Sequence, residues 1–111
     1  MMKKHFFWAL ALAAGALSGF AARADEAAQL ARGKQLFTTA ATPACAICHT
    51  LKDAGSEGAI GPVFDELQPD AARVARALRD GIGAMPSYKA TLSETDIEAL
   101  SLYVSKASKA Q

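Results

Sequence analysis

The pentapeptide Cys45-Ala46-Ile47-Cys48-His49 restricts the possible folds of this chain more than any other stretch. Residues three apart lie on the same face of a helical turn, so both sulfurs can reach one edge of a porphyrin. The histidine that follows can then approach the iron from the same side. The spacing therefore predicts one haem c, bound covalently through Cys45 and Cys48, with His49 as an axial iron ligand.

A bare pair of cysteines at this spacing has other interpretations. Cys-x-x-Cys also occurs in redox-active dithiols and as half of a zinc site. An exported protein could also form a disulfide between these cysteines, but a bridge across so short a segment would constrain little of the chain. The histidine directly after the second cysteine favours haem over these alternatives.

The first residues have the pattern of an export signal. Two lysines precede an uncharged, largely apolar run over residues 6–22, and an Ala-Arg-Ala cleavage pattern ends at Ala24. We predict a cleaved secretory signal peptide over 1–24, a mature domain over 25–111 and a periplasmic location. An uncleaved membrane anchor is the alternative, because about 17 uncharged residues are near the shortest length that spans a bilayer.

Cleavage would change the charge balance of the chain. The loss of Lys3, Lys4 and Arg23 lowers the twelve basic residues to nine while all eleven acidic residues remain, so the mature net charge is near −2. A nucleic-acid-binding domain typically has a basic surface, so we predict no nucleic-acid partner. We also predict no membrane insertion after cleavage.

Three stretches of the mature chain have the spacing of amphipathic helices. The first covers residues 26–38, the second opens at Pro69-Asp70 and ends at Gly81, and the third follows a capping-box pattern at residues 93–96. Their apolar faces are formed by Leu30, Gly33 and Phe37, by Ala71, Val74, Ala75 and Leu78, and by Ile97, Leu100, Val104 and Ala107, with Tyr103 at the edge of the third face. Because no strand-like alternation is present, we predict a small all-α domain.

Gly33 within the first predicted helix has two interpretations. Glycine in a helix costs about 1 kcal/mol relative to alanine, so its presence calls for a reason. Either a close crossing of two helices requires it, or it is a tolerated surface residue.

Met85 is the candidate for the second axial position on the iron. Met1, Met2 and His5 would leave with the signal peptide, so the mature chain retains no other methionine and no histidine besides His49. A methionine ligand raises the haem reduction potential, since the soft thioether favours ferrous iron. The alternative is a methionine that fills a gap in the core.

The chain resembles the class I, mitochondrial-type cytochromes c, and especially the small bacterial members, over its whole mature length. The resemblance is carried by Gly33 and Phe37, Cys45-x-x-Cys48-His49, Gly61-Pro62, Met85-Pro86 and Leu100-x-x-Tyr103-Val104. It implies a class I cytochrome c fold, in which about three to five short helices surround one covalently bound haem and the first and last helices cross near Gly33, Phe37 and Tyr103. It also implies that the Pro62 carbonyl accepts a hydrogen bond from the His49 ring, which would fix the imidazole tautomer.

A narrower resemblance points to a pathway. Four segments look like those of the cytochrome subunits and partners of bacterial sulfite dehydrogenases, namely Pro43-Ala44-Cys45, residues 51–55, residues 65–70 and residues 81–86. The resemblance implies a molybdenum sulfite dehydrogenase as electron donor. A terminal oxidase or another cytochrome would be the acceptor.

These observations predict a one-electron carrier rather than an enzyme. The sequence has no Ser-His-Asp set and no paired acid and base, and the one mature histidine is assigned to iron. The first alternative is a haem-based sensor or a peroxidase-like protein, in which the sixth iron position is open. The second is a haem subunit held permanently by a larger dehydrogenase.

Overall fold

Helices form most of the structure. The computed structural model describes the backbone of residues 2–110 and the side chains of residues 18–110, so Met1 and the side chains of Met2 and His5 lie outside the described residues. The helices are α1 (Met2–Gln35), α2 (Cys45–Cys48), α3 (Phe64–Leu67), α4 (Ala71–Asp80) and α5 (Glu94–Ala107). The predicted all-α architecture is confirmed. Within the part of the chain that the structure describes, no helix is long and apolar enough to cross a membrane.

The first helix differs from its predicted range of 26–38. It runs without interruption through residue 24, ends at Gln35, and passes into a wider π-helical turn over Leu36–Ala40. The hydroxyl of Thr38 donates to the Lys34 carbonyl at 2.9 Å. A side-chain hydrogen bond of this kind competes with the backbone hydrogen bonds of an α-helix and therefore favours the end of the helix. The spacing of apolar residues carries no signal for such a bond. The boundary between a signal peptide and a mature domain stays a prediction.

A short antiparallel pair of strands follows α2 and was not predicted. Thr50 of β1 (Thr50–Leu51) pairs with Glu57 of β2 (Ser56–Glu57). Strands of two residues are too short to show alternation in the sequence. The buried hydroxyl of Ser56 donates to the His49 carbonyl at 2.8 Å, so this pair anchors the backbone beside the histidine.

Helices α1 and α5 cross in close contact at Gly33. A Cβ atom added there would lie less than 3.0 Å from the Ala99 carbonyl oxygen and from Tyr103 Cβ. Beside the crossing, the Phe37 and Tyr103 rings pack edge to face with their centroids 6.0 Å apart. The Arg32 guanidinium also binds the Asp96 carboxylate across the two helices at 2.9 Å. The close-crossing interpretation of Gly33 is therefore confirmed, and the surface interpretation is wrong.

Gly33→Val should lower the free energy of unfolding of the haem-loaded protein by about 2 kcal/mol or more, because the added atoms force the two backbones apart. Guanidinium denaturation followed by circular dichroism measures it. Ala27→Val, at an exposed position of the same helix, is the matched control and should change this free energy by less than about 1 kcal/mol. Equal effects of the two substitutions would contradict the close crossing.

Helices α4 and α5 begin at the predicted caps. The Asp70 carboxylate accepts from the Arg73 amide at 2.7 Å, and the Ser93 hydroxyl accepts from the Asp96 amide at 3.1 Å. The Asp96 carboxylate binds Arg32 across the helix crossing, so in this structure it serves the tertiary contact. Gly81 follows α4 with φ 70° and ψ 167°: its positive φ favours glycine, while its ψ lies outside the left-handed helical region in which a glycine cap usually lies. The position also has no room for a side chain, since an added Cβ would lie 2.9 Å from the Met85 carbonyl oxygen.

The predicted apolar faces of α4 and α5 form the core. Val74 and Leu78 are buried on α4, and Ile97, Leu100 and Val104 on α5. Tyr103, expected at the edge of its face, is also buried with 4% exposure. The crossing with α1 at Gly33 covers the Tyr103 side chain. The apolar pattern of α5 alone does not show which of its residues a second helix will bury.

The Tyr103 hydroxyl forms a hydrogen bond with a charged partner. It donates to Asp53 Oδ2 at 2.6 Å, and Lys34 Nζ lies 3.4 Å from the same oxygen. The hydrogen bond from Tyr103, followed by the charge of Lys34, lowers the pKa of the Asp53 carboxyl. Burial and the bond to Asp53 raise the pKa of the Tyr103 hydroxyl.

The lowered pKa of Asp53 predicts a contribution to acid sensitivity. A carboxyl whose pKa is lower in the folded state stabilises the fold above its unfolded pKa of about 4, and this stability is lost as pH falls through the folded pKa. Tyr103→Phe should therefore make the loss of stability below about pH 4 shallower. Tyr88→Phe is the matched control, because Tyr88 donates to a carbonyl that does not titrate. Acid-unfolding curves that change equally in both variants would contradict the role of Asp53.

Candidate haem-binding site

His49 is held in one orientation by the segment that follows it. It lies directly after α2, is 8% exposed, and its amide donates to the Cys45 carbonyl at 2.9 Å. Its ring Nδ1 lies 2.8 Å from the Pro62 carbonyl oxygen. Because a carbonyl only accepts, Nδ1 must carry the proton, and the unprotonated Nε2 is left as the nitrogen that can bind a metal.

Two glycines allow this segment to approach the histidine. A Cβ on Gly61 would lie less than 3.0 Å from atoms of the His49 ring, and a Cβ on Gly58 would lie 2.7 Å from the His49 amide nitrogen. The amides of Ile60 and Gly61 both donate to the Cys48 carbonyl, at 3.1 and 2.7 Å. The Gly61-Pro62 pair was part of the sequence resemblance, whereas nothing in the local pattern distinguished Gly58 from an ordinary loop glycine.

Phe64 supports the other side of the imidazole. Its ring is stacked on the His49 ring, with centroids 4.2 Å apart and an interplanar angle of 14°. It also packs edge to face against Phe37, with centroids 6.1 Å apart, which connects the histidine to the core. The sequence placed Phe64 only in a short apolar stretch, because a ring contact across fifteen positions has no periodic signal.

Met85 lies in a tight loop after α4. Its amide and carbonyl pair with the carbonyl and amide of Ile82, at 2.9 and 3.0 Å, so the methionine is held at the end of a two-bond turn. Its side chain is half-buried and packs against the core. The loop thus presents the thioether from a defined backbone position.

Tyr88 joins the methionine loop to two other parts of the site. Its amide donates to the Leu78 carbonyl at 2.6 Å, and its hydroxyl donates to the Pro43 carbonyl, two residues before Cys45, at 2.7 Å. The side chain is 4% exposed, and burial raises the pKa of its hydroxyl to about 12. Sequence reasoning did not find this residue.

Two cavities share both candidate iron ligands among their lining residues. The α4 cavity, of about 380 Å³, is lined by Phe64, Leu67 and one face of α4. The cysteine cavity, of about 230 Å³, is lined by Cys45, Cys48 and Tyr88. Residues His49, Pro62, Ile82 and Met85 line both.

This arrangement fits a haem. A nitrogen donor and a thioether line both cavities, the two thiols line one of them, and the surrounding side chains are mainly apolar. The two cavities together fall within the volumes of about 300–1,000 Å³ that are usual for small-molecule and cofactor sites. By contrast, burial raises the pKa of the Cys45 thiol to about 11. Reactive dithiols have lowered thiol pKa values, so the site does not favour the redox-dithiol interpretation.

Comparisons with known proteins agree with this geometry. The sequence model of the family described as cytochrome c oxidase, cbb3-type, subunit III matches residues 28–104. The crystal structure of the c-type cytochrome SorU from Sinorhizobium meliloti is similar, with a TM-score of 0.70 and 48% sequence identity over 72% of this chain and 91% of that one. No protein with a curated description matches this sequence.

Proposed function

Because the chain belongs to the c-type cytochromes, in the family described as cytochrome c oxidase, cbb3-type, subunit III, and has haem c as its cofactor, we propose that it is a one-electron carrier. In the proposal Cys45 and Cys48 form the thioether bonds, and His49 and Met85 are the axial ligands. The observation that carries it is that His49 and Met85 both line the two cavities, one of which is also lined by Cys45 and Cys48. A c-type haem supplies the exchange of one electron between ferric and ferrous iron.

The protein's part in this function is to fix the ligands. The Pro62 carbonyl, 2.8 Å from His49 Nδ1, sets the tautomer that leaves Nε2 for iron, and Phe64 limits rotation of the ring. The hydrogen bond also makes the imidazole nitrogen Nε2 a stronger ligand for a metal. On the methionine side, the backbone bonds of Ile82 and Tyr88 hold the loop against the rest of the domain.

An apolar surface beside the cysteines is the proposed docking face. Three isoleucines near the cysteine cavity are exposed, Ile47 by 62%, Ile60 by 76% and Ile82 by 69%. Exposed apolar clusters on a small protein are typical of contact sites for other proteins. With a mature charge near −2, we expect apolar contact rather than strong charge steering to govern the association.

The donor and the location are finer parts of the proposal. The loop segments that resemble cytochromes of sulfite dehydrogenases support a molybdenum sulfite dehydrogenase as donor, with a terminal oxidase or another cytochrome as acceptor. The signal-peptide pattern supports a periplasmic location. No acid-base pair is assigned at the site, so the proposal describes an electron-transfer protein and not an enzyme.

The test uses the haem-loaded mature protein. A visible spectrum of low-spin, six-coordinate iron with a methionine-to-iron band is expected, and a high-spin spectrum would instead support the sensor or peroxidase-like alternative. Mixing the ferric protein with a bacterial sulfite dehydrogenase and sulfite should give the ferrous spectrum within the turnover time of the enzyme. Slow reduction in that mixture, with the spectrum otherwise as expected, would contradict the donor and leave the carrier function intact.

A permanent subunit of a larger enzyme is the second candidate. The family description, which names an oxidase subunit, favours it. A subunit should copurify with its partners at a fixed ratio from the native membrane or periplasm. A carrier should be recovered as a single chain that binds its partners only transiently.

A further inference from the structure

We propose that Arg73 and Arg76 bind the propionate carboxylates of the haem. The inference extends the proposed function to a second recognition site for the same cofactor. It rests on the haem being bound at Cys45 and Cys48, and it does not depend on whether Met85 is a ligand.

The charge of the two cavities differs. The α4 cavity is lined by two basic residues, Arg73 and Arg76, and by one acidic residue, Asp80. Among the described residues that line the cysteine cavity, none is a lysine, arginine, aspartate or glutamate. The haem also has one uncharged and one charged edge, since its vinyl groups and its propionates lie at opposite edges of the porphyrin. Attachment of the vinyl groups at the cysteines therefore directs the carboxylates toward the α4 cavity.

The four arginines between residues 32 and 79 fall into two groups by their partners. Arg32 binds Asp96 at 2.9 Å, and Arg79 binds Glu94 at 2.8 Å, both across elements of the fold. In the described part of the chain, the guanidinium groups of Arg73 and Arg76 have no hydrogen-bond or ion-pair partner. These two arginines are the ones that line the cavity.

Helix α4 explains the separation. Arg73, Arg76, Ala77 and Asp80 are spaced by three and four residues and line the cavity together. Val74 is buried and also lines the cavity, Leu78 is buried away from it in the core, and Arg79 reaches α5. The Asp70 cap fixes the start of the helix and thereby the position of Arg73. Helix α4 thus places the guanidinium groups of Arg73 and Arg76 at the same cavity.

The chemistry of the pair suits carboxylates. The planar guanidinium offers parallel N–H donors that match a carboxylate in bidentate geometry, and it stays protonated at all physiological pH values. Asp80 on the same wall would repel a carboxylate, so the propionates are expected nearer the start of α4. Positive charge close to the haem destabilises ferric relative to ferrous iron, so both arginines should raise the reduction potential.

The test compares Arg73→Gln, Arg76→Gln and the double variant with the unsubstituted haem-loaded protein. Each single variant should lower the reduction potential, and the double variant should lower it further. The propionate bending band in the resonance Raman spectrum should move to lower frequency as the carboxylates lose their hydrogen bonds. Arg73→Lys should keep most of the potential while it alters the band, because it retains charge but not the planar fork.

Arg79→Gln is the matched control, since it removes an arginine of the same helix that binds Glu94. It should leave both the potential and the propionate band unchanged. If the double variant keeps the potential and the band of the unsubstituted protein, the proposal is wrong, and the single variants decide it if the double variant is poorly loaded with haem. Ligation by Met85 is monitored separately through the methionine-to-iron band, so a failure there concerns the proposed function and not the arginines.

Discussion

Met85→Ala is expected to abolish the methionine-to-iron absorption band and to lower the reduction potential of the haem. The thioether favours ferrous iron, so its removal favours the ferric state. Axial ligation is one of the main determinants of haem potentials, which span roughly 0.8 V. Met85→His should also lower the potential but retain a low-spin spectrum, because imidazole can occupy the same position. Spectroelectrochemistry of the purified proteins measures both quantities.

Ile82→Ala is the matched control for this substitution. Ile82 lies in the same loop, lines the same cavities and also carries an aliphatic side chain, but its contact with Met85 is made through the backbone. It should retain the methionine band and most of the potential. If Met85→Ala keeps the spectrum and the potential of the unsubstituted protein, Met85 is a packing residue and the sixth ligand lies elsewhere.

Removal of the haem by Cys45→Ala together with Cys48→Ala should cost the mature domain most of its fixed tertiary structure. The two cavities would lose their occupant, and the walls that face them are largely apolar. Helices α2 and α3 have four residues each, a length that is not stable without tertiary contacts. A domain of this size has little core to compensate for the loss. Amide dispersion in a nitrogen–proton correlation spectrum measures the result.

The unsubstituted chain, produced without haem-attachment machinery, separates the effect of the cofactor from the effect of the cysteine side chains. It should resemble the double variant, with collapsed dispersion and residual helix in α1 and α5. The α1–α5 crossing at Gly33 is expected to persist longest, since it lies in the core away from the cavities. Well-dispersed amides in either haem-free protein would contradict the organising role assigned to the cofactor.

Local patterns were sufficient for much of this protein. Cys45, Cys48 and His49 lie within five consecutive residues, so the haem-attachment motif can be recognised from the sequence alone. The haem c that they predicted is confirmed by family membership. Helices α4 and α5 were predictable because caps and apolar faces depend on residues three and four apart. Met85 followed from elimination, as the one methionine left after the predicted cleavage, and its role as a ligand stays a prediction. The signal-peptide boundary also stays a prediction.

The tertiary structure decided what depends on distant pairs. Tyr88 meets Pro43 across 45 positions and Tyr103 meets Asp53 across 50, and neither contact leaves a mark in the local pattern. The three arginines of α4 look alike in the sequence, yet Arg79 binds Glu94 while Arg73 and Arg76 line a cavity. The physical reason is that helix periodicity records which side of a helix is apolar, whereas the partner that meets each polar side chain is set by how the helices pack.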